Sequence, residues 1–217
     1  MDREIIIVVD PMCSWCWGFS PTIGAIAEEY GARVPISLIA GGLRPLTDKP
    51  MTEQAKGEIR HHWEDVNKAS GQPFDWSFFN RNGFVYDTEP ACRALVTVRS
   101  LKAEAALAFL AAVHKAFYAE NRDVTNAEIL QELAVNEGID ANDFTKAFSS
   151  RQMTYETAGD FHRSHTMGVR GFPTVILRTG EKATLLCAGF RPFDGLKPHL
   201  DEWVAGKEED QETQAEG

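Results

Sequence analysis

Two cysteines, Cys13 and Cys16, stand two residues apart in the run VVDPMCSWCWGFSP, Val8 to Pro21. Thiols at this spacing support two chemistries. One is dithiol–disulfide exchange: one thiolate attacks an external disulfide, and the second, a helical turn away, attacks the mixed disulfide that results. The other is half of a zinc site, which needs two further ligands. The remaining cysteines, Cys92 and Cys187, are isolated. His162 and His165, in HRSH, form an i,i+3 pair that reads as a polar helix face. No metal site is therefore expected. Cys92, after TEP near a helix start, and Cys187, in an apolar run, read as small buried apolar side chains. Trp15 lies between the paired cysteines, where it would face an incoming disulfide, and Phe172 belongs to an aromatic set near a proline loop. Arg44, in GGLRP, carries a guanidinium fork suited to the carboxylate of glutathione or of a peptide.

The cysteine pair needs a rigid mount. Ile5 to Val9 is a continuous β-branched run ended by Asp10-Pro11, the pattern of a strand buried on both faces. Helical spacing follows from Cys13 to about Tyr30, then a strand-like VPISLIA, Val34 to Ala40. This is one βαβ unit. Cys13 thus falls at the start of a helix, where unpaired N–H groups and the helix dipole stabilise a thiolate. Cys16, on the same face, is placed to resolve.

After Gly41 to Pro45 the chain is predicted to be helical for some 120 residues (~120, from the spacing of apolar stripes). Its helices begin near Thr52, Glu89, Glu104, Thr125, Asp140 and Arg151, with TNAE, Thr125 to Glu128, as a capping box. PTVILR and ATLLCAG then read as a β-hairpin, and Phe193 to Val204 as a last helix. The predicted fold class is α/β, a βαβ and a ββα half with a helical insertion. Residues 1–43 and 166–206 would form the sheet-bearing domain and 44–165 an inserted helical cap. The terminal KEEDQETQAEG, residues 207–217, reads as a disordered acidic tail.

A net charge of −10 disfavours a nucleic-acid or anionic-membrane partner. No apolar run approaches the ~20 residues that cross a bilayer. The opening MDRE leads at once into a strand, without the pattern of a secretory leader. A cytoplasmic location is expected, and there a CxxC is more often catalytic than structural.

These features together resemble the thioredoxin superfamily, and most of all its DsbA-like branch. The resemblance rests on the CxxC after the first strand, on Pro21 five residues past Cys16, and on GVRGFPTV, Gly168 to Val175. With GGLRP and TEPACRAL, the run is similar to a cytosolic group described as protein-disulfide isomerases and related to FrnE. The resemblance implies a thioredoxin fold and a thiol–disulfide oxidoreductase of reductase or isomerase type. It implies that Pro173, in cis, shapes the groove beside Cys13. It implies no bound cofactor, glutathione as a redox partner, and protein or small-molecule disulfides and thiols as substrates. Strongly oxidising members carry His where this chain has Trp15, so a weak oxidant is expected. Two alternatives are a glutathione-dependent transferase or isomerase like the kappa-class group, which usually has Ser at the site, and a non-enzymatic thiol-based metal or redox sensor.

Overall fold

A computed structural model describes residues 2–206. The acidic segment predicted to be disordered, 207–217, lies outside the described residues. The chain runs β1 (Arg3–Val9), α1 (Ser14–Tyr30), β2 (Ile36–Ala40), α2 (Glu53–Ser70), α3 (Glu89–Leu101), α4 (Ala106–Tyr118), α5 (Ala127–Asn136), α6 (Ala141–Phe148), α7 (Arg151–Thr166), β3 (Thr174–Thr179), β4 (Lys182–Ala188) and α8 (Phe193–Val204). A 3₁₀ segment, Trp76–Asn80, joins α2 to α3. The order matches the α/β reading, with six helices between the two halves of the sheet.

The sheet order is β2-β1-β3-β4. β1 is parallel to β2 and antiparallel to β3, which pairs antiparallel with β4. The apolar run of β1 is explained by its central place. Ile5, Ile7 and Val9 enter one cluster with α1 and α8, whereas Ile6 and Val8 enter another against Met167 and Val169 after α7. Both faces of β1 are thus dry.

The inserted helices share the sheet's core. Trp63 of α2 is fully buried, with Phe74, Phe78 and Phe79 rings each 4.9 Å away and Tyr118 of α4 at 5.1 Å. These rings belong to the same apolar cluster as Ile5, Cys16 and Leu196. Gly18 of α1 allows the close approach of α2: a Cβ there would lie 2.8 Å from Val66 Cγ1. The N-caps follow local chemistry. Thr52, Ser150 and Asp140 accept from backbone N–H groups of α2, α7 and α6. At α5 the cap is Asn126, which accepts from Glu128 N, one residue past the predicted Thr125. Thr125 instead donates its hydroxyl to Asp123 Oδ1.

β2 is an edge strand, and an ion pair covers it. Asp160 of α7 is 3% exposed and receives both Arg99 nitrogens, at 2.7 and 3.1 Å. The same pair reaches the strand: Arg99 Nη1 donates to Leu38 O at 2.5 Å, and Asp160 Oδ2 accepts from Ala40 N at 2.9 Å. Asp160→Ala would leave Ala40 N–H and the guanidinium without their partner. The expected loss is about 3 kcal/mol, at the low end for breaking a buried pair because Arg99 keeps some water contact. Urea unfolding with an unchanged m-value measures it.

Candidate active site at the CxxC turn

β1 ends at Val9, and Asp10-Pro11-Met12 turns the chain into α1. The turn is closed by Cys13 N–H donating to Asp10 O at 3.0 Å and Met12 N–H to Asp10 Oδ1 at 2.8 Å. Cys13 is the N-cap residue of α1, and its carbonyl accepts from Trp17 N at 3.1 Å. Its sulfur points toward the loop before β3 and donates to Phe172 O at 3.6 Å. The Phe172–Pro173 peptide bond is cis. Cys13 is 6% exposed, less than an open nucleophile would be, because this loop lies over it. Cys16 is fully enclosed. Burial first, and then the adjoining Cys13, push the Cys16 thiol well above its ordinary range. The two thiols are therefore unequal: one at a helix end under a cleft, one sealed beneath it.

Cys13 opens into a cleft of about 200 Å³. Trp15, Arg44 and Phe172, all singled out from sequence, line it. Trp15 is half-buried, its ring 6.0 Å from Phe190. Phe172 can lie there because of Gly41, where a Cβ would fall 2.1 Å from the ring. Arg44 is exposed and sits over the Tyr86 ring at 5.4 Å. His62 and Trp63 of α2 form the opposite wall, so the inserted helices supply part of the cleft. Cys187 is buried in β4, and burial raises its thiol. His162 and His165 are exposed on α7. Among the described residues, no group of three or more His, Cys, Asp or Glu is arranged to hold a metal ion.

Three residues at the site escaped the sequence reading. Asp10 is fully buried. Its Oδ2 accepts from Leu43 N at 2.6 Å and from Cys92 Sγ at 3.4 Å. Burial raises the Asp10 carboxyl, and the Leu43 and Met12 N–H groups partly offset that. Burial and then the Asp10 charge push the Cys92 thiol up, so a reactive Cys92 at its helix start does not arise. Tyr86 donates to Met12 O at 2.6 Å. His114 of α4 is fully buried, with Nδ1 2.8 Å from Ser20 Oγ, one turn past Cys16. Asp10 read only as the end of the first strand, and the partners of Tyr86 and His114 lie 74 and 94 residues away.

The comparisons agree with this architecture. Residues 7–197 match the family model described as Thioredoxin. The chain belongs to the thioredoxin family. Among solved structures it is similar to a "putative protein disulfide isomerase" from Nitrosomonas europaea, with 37% identity and a TM-score of 0.89, covering 95% of this chain and 99% of that one. It shares its fold with the cytosolic disulfide reductase DsbM from Pseudomonas aeruginosa, at 23% identity and a TM-score of 0.73, over 97% of this chain and 99% of that one. Among curated proteins it is 24% identical, over 80% of its length, to the ClpXP adapter protein SpxH of Halalkalibacterium halodurans. The chain spans 58% of that relative's length.

His114 yields a pH test. Burial lowers its pKa from 6.5 to about 4. Between those values the unfolded chain takes up a proton that the folded imidazole refuses, so stability falls as pH drops. The full effect is present above pH 6.5 and is lost through about pH 4, roughly 3 kcal/mol in all. His114→Gln should flatten the decline of unfolding free energy over this window, measured by urea denaturation at stepped pH.

Proposed function

We propose that this protein is a thiol–disulfide oxidoreductase of reductase or isomerase type. The observation that carries the reading is the N-cap position of Cys13, with its sulfur under Phe172 O beside a cis Pro173 and a fully buried Cys16 one turn behind. In this reading the Cys13 thiolate attacks one sulfur of a substrate disulfide and releases the other as a thiolate. Cys16 then attacks the Cys13 sulfur, the substrate leaves as its second thiolate, and a Cys13–Cys16 disulfide remains. The two protein thiol protons end on the two substrate thiols. An external dithiol or a pair of thiols resets the pair.

Pro173 has no N–H and shapes the wall next to Cys13, while the Phe172 carbonyl gives the resting thiol a partner. Trp15 and Phe172 would receive the substrate's apolar parts, and Arg44 a carboxylate. Protein or small-molecule disulfides fit, with glutathione as the redox partner; a structure of DsbM with GSH, of the same fold, supports that choice. Residues 44–165 would act as a cap that walls the cleft. The site of action would be the cytoplasm, consistent with no helix among the described residues being long and apolar enough to cross a membrane.

A weakly oxidising disulfide follows from the electrostatics. A helix terminus contributes only about 0.3–1 kcal/mol to a thiolate, up to ~2 when partly buried. The buried Asp10 carboxylate opposes a negative charge at Cys16. A glutathione redox titration should give a poise well below the about −120 mV of strong periplasmic oxidants.

The decisive assay is insulin reduction with dithiothreitol, beside a glutathione-conjugation assay. The wild type should accelerate insulin precipitation, and Cys13→Ser should abolish this. Cys16→Ser should instead accumulate a mixed disulfide at Cys13, seen by mass spectrometry under non-reducing conditions. Conjugation without insulin reduction would overturn the reading in favour of a transferase.

A further inference from the structure

Pro21 lies inside α1, exposed, and has no N–H. In a regular helix residue 21 would donate to the carbonyl of Trp17, four residues back. Here that carbonyl is served from outside the helix: Gln72 Nε2 donates to Trp17 O at 3.2 Å. Gln72 comes just after α2 and is itself held. Its N–H donates to Ser70 Oγ at 3.2 Å, and its carbonyl accepts from Asn67 Nδ2 at 2.9 Å. The next residue takes the other end of the same tryptophan, with Trp17 Nε1 donating to Pro73 O at 3.0 Å. On its amino side Trp17 N–H donates to Cys13 O. Trp17 is thus bound at its N–H by the first cysteine of the pair, and at its C=O and indole by the inserted segment. Cys16 is the residue immediately before it.

We infer that Gln72 is a positioning residue for the exchange reaction: it replaces the helix bond that Pro21 removes, and so holds Cys16 where it can attack a mixed disulfide at Cys13. This rests on the thiol–disulfide reading above. The proline loosens the helix one turn after Cys16, and the glutamine fixes that turn to α2. Without Gln72, the Trp17 carbonyl is left unpaired in a half-buried setting, and the turn carrying Cys16 is free to shift. A shift of that kind lowers the effective concentration of Cys16 at Cys13, a quantity that depends steeply on geometry.

The test equilibrates the full chain with defined ratios of reduced and oxidised glutathione, followed by acid quenching and mass spectrometry. Two species are counted: the Cys13–glutathione mixed disulfide and the Cys13–Cys16 disulfide. Their ratio, scaled by free glutathione, is the effective concentration of Cys16. Gln72→Ala should lower it about tenfold, equivalent to roughly 30 mV in the potential of the pair. A general loss of stability would not move this ratio in a population that thermal unfolding shows to be folded. Pro21→Ala supplies the discriminating background, because it restores an N–H donor at position 21. There, Gln72→Ala should change the ratio less than twofold. An unchanged ratio for Gln72→Ala in the Pro21 protein overturns the inference. So does an equal fall in both backgrounds, since Gln72 would then act by a route other than the Trp17 carbonyl. Failure of the wild type to form either glutathione-derived species would instead overturn the oxidoreductase reading itself.

Discussion

A carboxylate taken out of water must be given hydrogen bonds, or its burial costs several kcal/mol. Asp10 is in that position, and it is held by neutral donors, two backbone N–H groups and a thiol. Its two oxygens gather the Met12 N–H from the turn before α1, the Leu43 N–H from the loop after β2, and the Cys92 thiol from the first turn of α3. The cysteine turn, the end of the neighbouring strand and the inserted helices therefore meet at one side chain. Thr88 tightens the same junction, exchanging hydrogen bonds with Arg44: its hydroxyl accepts Arg44 N–H at 3.1 Å and its N–H donates to Arg44 O at 3.2 Å. The cleft has a fixed mouth because its three rims share this anchor.

The inserted helices do more than fill space. α2 brings His62 and Trp63 to the cleft, α3 brings the Asp10 partner Cys92, α4 brings His114 to Ser20, and α7 with Arg99 closes the β2 edge. An edge strand left open would present unpaired N–H and C=O groups to other chains. Here those groups are matched by an ion pair whose own charges cancel. The opposite edge, β4, is handled differently, by its exposed Lys182 and an irregular register between Val175 and Ile176 on its partner strand.

Much of this was legible in the sequence because it is written locally. The unbroken β-branched run of β1 states that both its faces are buried. CxxC followed by helical spacing states where the thiols sit. Gly180, with φ of 58°, marks the tight hairpin between β3 and β4. The site's remaining residues were illegible for a physical reason: their partners are far away in the chain. Asp10 before Pro11 reads as a strand terminator, and nothing local says that its carboxylate is buried. His114 lies within an apolar stripe containing Leu110, Val113 and Phe117, and its meaning comes from Ser20 on another helix. Gly41 reads as loop flexibility, whereas its use is room for the Phe172 ring. The Thr125 capping box differs from the observed Asn126 cap because Asp123 captures the threonine hydroxyl.

The inequality of the two thiols follows from the same geometry. Cys13 is at the helix start, where the unpaired N–H groups of the first turn favour an anion. Cys16 is sealed, and every anionic neighbour works against its ionisation: Cys13 beside it and Asp10 behind it both raise its pKa. Charge is therefore disfavoured beneath the cleft, at Cys16. Cys13 borders the cleft, whereas Cys16 is sealed from solvent. In the exchange reaction proposed above, burial rather than the residues between the cysteines would set the order of events. Trp15, which carries no charge, adds neither a cation nor an anion between the two thiols. A helix terminus at Cys13 and a buried carboxylate behind Cys16 thus set the two thiols of the pair in different electrostatic surroundings.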